Sequence, residues 1–411
     1  MIFPELRNRK GSAPAPGAVF RALAENLVRT EVSATAAWVR PTNRLVPRLR
    51  DRLWMSDPPE RLLSPEPWHD ERMVLSRSGT GVPGPVPSCA RAAVLAAALL
   101  LLLLGFPNSS LAQTNEQRTL VLVVGAAGEP EYGEQFTNWA ALWLQAAAKG
   151  GLQTAVIGED PDHPENDRTR LLTALTNEVA KPGGELWLVF LGHGTYDGRS
   201  AKFNLRGPDI SAAELAAVLK PCHRPLAVIQ CASASGPFIN ALSGPDRVII
   251  TATRSGSEVN ATRFGGYMAK AIADPAADLD KDGQTSLLEA FLFASRQVAQ
   301  FYKEAGRLAT EHALLDDNGD GLGTPPDWFR GVRAVKTAAN GKAVDGVRAH
   351  QFHLVRSAAE QELSPEARAR RDALEEQLSA LRARKASLKE DDYYGRLEGI
   401  LVDLSELYES K

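Results

Sequence analysis

A histidine and a cysteine each stand where a long apolar run gives way to small residues. In "ELWLVFLGHGTYDG" the run ends at His193, between Gly192 and Gly194; in "PLAVIQCASASG" it ends at Cys231, ahead of Ala232, Ser233, Ala234 and Ser235. A thiol is a strong nucleophile only as the thiolate, and an imidazole within reach can take its proton and later return it to a leaving amine. Gly194, directly after the histidine, offers a backbone N–H to the oxyanion of an acyl-transfer intermediate. With no Cβ atoms, the flanking glycines let the chain turn sharply and let a substrate backbone come close.

Both residues need strands to deliver them. "TLVLVVGA", "TAVIG", "ELWLVFLG", "LAVIQC" and "RVIITAT" read as strands. "NWAALWLQAAAKGG", "RTRLLTALTNEVAKPGG" and "SAAELAAVLK" read as helices, the last with Ser211 as its N-cap. Apolar strands alternating with helices predict an α/β fold, a mainly parallel sheet covered on both faces. Such sheets bind ligands beyond the carboxyl ends of their strands, and that edge carries His193 and Cys231.

"LVFLGHGTYDG" together with "AVIQCASASG" resembles the caspase-haemoglobinase fold of clan CD cysteine peptidases, over roughly Thr119 to Ala273. Within that fold the chain is similar to the legumain-like C13 family. The resemblance implies a caspase-like sheet sandwiched by helices, with His193 as general acid and base, Cys231 as nucleophile and Gly194 in the oxyanion hole. Four positions depart from legumains: Ala232 replaces an acidic residue after the nucleophile, Gly133 and Glu134 replace an Arg-His pair after Tyr132, and Ala127 replaces an asparagine. Asparagine specificity is therefore not implied. A secreted cysteine endopeptidase or transpeptidase is the leading reading, with a peptide or protein as substrate. The alternative is a degenerate member of the fold acting as a calcium-dependent binding protein. A zinc site from Cys222, His223, Cys231 and His193 matches no zinc spacing.

Two acidic loops follow. "DLDKDGQTSLLE" places Asp278, Asp280, Asp282, the turn residue Gly283 and Glu289 at the offsets of a calcium loop. Gln284 offers its backbone carbonyl and Ser286 a direct or water-mediated contact, so Ca2+ is the expected cofactor. "DDNGDGLGTPPD" repeats the spacing with Asp316, Asn318, Asp320, Gly321 and Asp327, but Gly323, Pro325 and Pro326 break the helix that should follow. His312, just ahead, reads as packing or hydrogen-bonded structure, since calcium prefers oxygen.

The chain has 411 residues, 44% of them hydrophobic, and a net charge of -3, which excludes a disordered chain and a basic nucleic-acid binder. No nucleic acid is expected as partner. In "CARAAVLAAALLLLLLGFPNSSLAQ", Arg91, the apolar run Ala92 to Leu104 and Ser110-Leu111-Ala112 read as a secretory signal cleaved after Ala112, with Met73 as its start. The run is short for a bilayer, which takes about 20 residues, although an uncleaved anchor is the alternative. The expected location is secreted or periplasmic, with membrane contact only through this segment. An exported chain would keep only Cys222 and Cys231, too few for a disulfide framework.

The segments expected are therefore an Arg- and Pro-rich extension or misassigned start (1–72), a signal peptide (73–112), the α/β catalytic domain (113–275), a calcium-loop helical segment (276–330), a linker (331–353) and a C-terminal helical hairpin (354–411). In the hairpin, Ser364 caps, Pro365 opens the first helix, and Leu374, Leu378, Leu381 and Leu388 make one stripe. Leu397, Leu401, Leu404 and Tyr408 make the second, a face for a helical partner.

Overall fold

The computed structural model describes residues 117–160, 162–336 and 343–409. The expected extension (1–72) and signal peptide (73–112) lie outside the described residues.

Strand β1 (Thr119–Val124) is buried at every position. Helix α1 (Pro130–Lys149) follows, opened by a proline and closed at Gly150. Then come β2 (Gln153–Ile157), α2 (Asp167–Val179) and β3 (Leu186–Leu191). Three short strands, β4 (Gly194–Tyr196), β5 (Ala201–Phe203) and β6 (Ile210–Ser211), form a small antiparallel sheet. Helix α3 (Ala212–Leu219) starts with a full capping box between Ser211 and Glu214. Strand β7 (Leu226–Gln230), helix α4 (Pro237–Leu242), strand β8 (Arg247–Thr251) and helix α5 (Phe264–Ala271) complete the α/β run. Beyond it lie α6 (Leu287–Glu304), β9 (Leu314–Asp316) and the hairpin β10 (Phe329–Arg330) with β11 (Arg333–Ala334). Short helices α7 (Val347–Gln351) and α8 (Ala358–Gln361) precede the long pair α9 (Pro365–Ala383) and α10 (Glu390–Glu409).

The main sheet runs β2-β1-β3-β7-β8-β9, parallel except for β9. Its central strands read as unbroken apolar runs because both faces are covered. On one face Trp187, Val189 and Leu191 of β3 meet Phe136 and Trp143 of α1, Phe264 of α5 and Phe291 of α6. On the other, Leu186, Leu188 and Phe190 meet Leu171 and Leu175 of α2, Leu215 of α3 and Phe238 of α4. The chain is thus an α/β protein with a mainly parallel sheet between helices and a C-terminal helix pair. Among the described residues, no helix is long and apolar enough to cross a membrane.

The hairpin's leucine stripes pack on each other: Leu374 with Leu404 and Leu407, and Leu381 with Tyr393 and Leu397. The stretch 331–353, expected as a linker, instead carries α7 and buries Asp345, Ala349, Phe352 and His353. Its attachments are side chains far off in sequence. Asp317 accepts from the amides of Gly346 and Ala349, and Asp345 accepts from those of Asp317 and Asn318. Burial and the facing Asp317 push the Asp345 carboxyl well above its ordinary range.

At the amino edge of the sheet, Glu185 gathers Arg118 at 3.0 Å, Arg356 at 2.8 Å and the Trp187 indole N–H at 2.9 Å. Burial alone would raise this carboxyl, but the two guanidinium groups outweigh it and bring it down to about 2. A carboxyl lowered in the folded state stabilises above its unfolded value of 4.5 and loses that contribution as pH falls through about 2. Glu185→Gln should therefore cost about 3 kcal/mol at neutral pH. Thermal melts of both proteins between pH 7 and pH 2 check this: the gap should close across the acid range, and a gap independent of pH would contradict it.

Candidate catalytic edge

Phe190 of β3 lies beside Gln230 of β7, and the Cys231 amide donates to the Phe190 carbonyl at 3.0 Å. Side chains alternate along each strand, so Cys231 falls with Ile229 on the α1 and α5 face. His193, two residues past Leu191, reaches that same face. Its ring meets Tyr132 edge-on at 4.7 Å and Phe136 at 5.2 Å, both from α1. Nε2 lies 3.2 Å from the Ala127 carbonyl oxygen. A carbonyl only accepts, so this contact assigns the proton to Nε2 and leaves Nδ1 as the basic nitrogen of the neutral ring. Burial lowers the His193 pKa from its ordinary value, against the Ala127 contact, which raises it.

Cys231 is fully buried. The Thr262 hydroxyl donates to its carbonyl oxygen. A Cβ built on Gly265 of α5 would sit 2.9 Å from the Cys231 Cβ and 3.1 Å from the Trp139 ring, so only glycine fits against the cysteine here. Burial, reinforced by the Glu311 carboxylate, pushes the thiol well above its ordinary range. No hydrogen bond joins His193 to Cys231. The two are placed as a neutral imidazole and a neutral thiol.

The Gly194 amide, expected to face an oxyanion, donates instead to the Ser233 hydroxyl at 3.1 Å, and that hydroxyl donates back to the Gly194 carbonyl at 3.0 Å. The Ser233 carbonyl would lie 2.3 Å from a Gly194 Cβ. The reason is proximity: the loops after β3 and β7 leave the sheet side by side and satisfy each other's polar groups. Ala234, with φ of 53°, turns the second loop through the left-handed region, and its amide donates to the Glu258 carbonyl at 2.8 Å. The Glu258 side chain in turn holds His312 Nδ1 at 2.6 Å, so His312 is hydrogen-bonded structure.

Cys222 precedes β7 and Cys231 follows it, a five-residue strand apart that rises about 16 Å. The zinc set with Cys222 and His223 is therefore not brought together. Sequence reasoning missed Ser233 as a partner, Thr262 and Glu311. Glu311 stands alone in sequence with no motif around it, and only the fold brings it to α5.

In the first acidic loop, carboxylate oxygens of Asp278, Asp280 and Asp282 lie within 4.8 Å of one another. Burial and the neighbouring Asp280 raise Asp282, as crowded like charges should. Asp278 accepts from the Lys281 and Gly283 amides, and Gly283 takes a φ of 89°. Gln284 folds its side-chain amide onto Asp282 at 3.0 Å. The donor set fits a hard cation. Ser286 and Glu289, expected as ligands, form the capping box of α6; Glu289 also accepts from the Leu279 and Asp280 amides, and its carboxylate, Asp280 and His350 bring ligand atoms within 4.8 Å of one another. His350, from the expected linker, reaches Asp280 at 2.9 Å.

In the second loop, Asp316, Asn318 and Asp320 each accept a backbone amide, from Gly319, Asp320 and Leu322 in turn. One buried Asp316 oxygen makes no hydrogen bond of good geometry, with the Ser243 hydroxyl beside it. Asp327 stands apart from this pattern. It lies in the 3-10 turn Pro326–Trp328 and pairs with Lys336 at 2.9 Å, because the two prolines replace the helix that would return it to the loop.

No family model matches the chain, and no curated protein matches it. Among solved structures, it is similar to the Drosophila initiator caspase Dronc at 13% identity, over 53% of this chain and 85% of that one, with a TM-score of 0.34. It is similar to a Geobacter sulfurreducens protein at 12% identity, over 51% and 98%, with a TM-score of 0.32. Caspase-1 from Spodoptera frugiperda gives 10% identity over 49% and 87%, with a TM-score of 0.33. Superpositions this slight assign nothing to the chain, whose fold rests on its own strand order and register.

The Ser233 hydroxyl is the one link that ties both loops by side chain. Ser233→Ala leaves the buried Gly194 amide and carbonyl without that partner and should destabilise by about 1–3 kcal/mol. Urea unfolding checks this, and an unchanged midpoint would mean the two loops do not depend on the link.

Proposed function

We propose that the chain is a cysteine peptidase or transpeptidase of the caspase-like, legumain-like type. The observation that carries this reading is the placement of His193 and Cys231 on one face of adjacent parallel strands, at the carboxyl edge. A peptide or protein segment would bind across that edge. His193 Nδ1 takes the thiol proton as the sulfur attacks the scissile carbonyl carbon, and the carbonyl π electrons move to oxygen. The Gly194 amide, once released by Ser233, donates to that oxyanion. The tetrahedral species collapses, the carbon–nitrogen bond breaks, and His193 returns the proton to the leaving amine. The thioester then passes its acyl group to water, or to a second amine in a transpeptidation.

The second reading, a binding protein without turnover, draws on the same site: a fully buried thiol and a Gly194 amide already occupied. A peptide acyloxymethyl-ketone library separates the two. The peptidase reading expects mass spectrometry to find the adduct on Cys231 and Cys231→Ala to abolish it. Label on Cys222, or none with a folded protein, would overturn it.

The first acidic loop is read as a calcium site that fixes the entry of α6, with Asp278, Asp280 and Asp282 as its carboxylates. Secretion and a helical partner for the C-terminal pair belong to the same reading. Ligand linkage gives about 2.7 kcal/mol of added stability at a hundredfold excess of calcium over its dissociation constant. Thermal unfolding with calcium and with chelator should differ for the wild type and less for Asp282→Ala. Equal midpoints in all conditions would make the loop a solvated turn.

A further inference from the structure

We propose that Glu311 is a positioning residue for Cys231: it latches the first turn of α5 over the thiol, and its charge governs how readily the sulfur reacts. This rests on the reading of Cys231 as the nucleophile. Of four consecutive residues, the outer two touch Cys231 and the inner two hold Glu311. The Thr262 hydroxyl donates to the Cys231 carbonyl, the Arg263 and Phe264 amides donate to the Glu311 carboxylate at 2.9 and 3.0 Å, and Gly265 packs on the Cys231 Cβ. Glu311 is itself only 3% exposed and is held from behind by the Tyr302 hydroxyl of α6 at 3.2 Å. Its carboxylate therefore anchors the segment that covers the thiol.

The charge acts in the same direction as the packing. The first amides of a helix are the donors that favour a nearby anion. In α5 they are directed to Glu311, so they do not serve a thiolate at Cys231, and the carboxylate charge opposes one. The charged and titratable groups around this pair are few. Arg263, whose guanidinium stacks on Phe301 at 3.8 Å, and Tyr302 face Glu311. His312, next in the chain, is paired with Glu258. His193 approaches from β3 with its Nε2 on Ala127. Neutralising Glu311 removes the charge that opposes a thiolate, while a glutamine carbonyl there still accepts the Arg263 and Phe264 amides.

The experiment is the rate of iodoacetamide alkylation against pH, read separately at Cys231 and Cys222 by peptide mapping. In Glu311→Gln the Cys231 midpoint should move to lower pH and the rate at pH 7 should rise at least tenfold, with Cys222 unchanged. Glu311→Asp, which keeps the charge, should stay near the wild-type profile. An unchanged profile in Glu311→Gln would overturn the proposal, and so would a uniform increase at every pH, which is what loosened packing alone gives. Should Glu311→Gln not melt cooperatively, the wild type decides: a Cys231 midpoint well above that of Cys222 supports the latch and an equal one overturns it. Alkylation needs no substrate, so the latch stands or falls separately from peptide cleavage.

Discussion

The parallel register of β3 against β7 is the constraint on which the site depends. Phe190 beside Gln230 puts Cys231 on the α1 and α5 face, where His193 also arrives two residues beyond Leu191. A slip of one residue in either strand would turn its terminal side chain to the opposite face and part the pair. The register is held by burial on both sides: Trp187, Val189 and Leu191 cannot exchange faces with Leu186, Leu188 and Phe190 without exchanging partners throughout two cores. Beyond the strand ends, where ladder hydrogen bonds stop, Ser233 takes over by holding both polar groups of Gly194.

Several groups around the proposed chemistry are held or covered by something else. The thiol is covered by Gly265 and Trp139, the Gly194 amide has Ser233, the His193 Nε2–H has Ala127, and the α5 amides have Glu311. The Gly194 amide is buried and would be costly to leave unpaired. The site is therefore closed for the same reason that it is stable, and turnover requires these partners to be exchanged for those of a bound peptide. Burial moves the thiol up and the imidazole down, so each side of the pair favours its neutral form.

Much of this was legible in the chain. The apolar runs ending in His193 and Cys231, the Ser211 cap and the leucine stripes of the last two helices depend on near neighbours, and local pattern reports them. The rest depends on contacts across long stretches. Ser233 meets Gly194 across 39 positions, Glu311 meets Phe264 across 47, and His350 meets Asp280 across 70. Nothing local to Glu311 or His350 marks either residue. The calcium-loop spacing was readable, and Ser286 and Glu289 serve two patterns at once: they form the capping box of α6, while the Glu289 carboxylate also stands beside Asp280. The stretch 331–353 read as a linker, whereas Asp317 accepts from its Gly346 amide and its own Asp345 accepts from Asp317.

The central claim is that His193 moves the proton for chemistry at Cys231. It is tested most directly by single-turnover acylation with an activated peptide ester, followed by intact mass in the wild type and in His193→Gln. The account predicts a thioester adduct on the wild type that forms about a hundredfold or more slowly in the variant. Equal acylation rates in the two proteins, both folded, would contradict it.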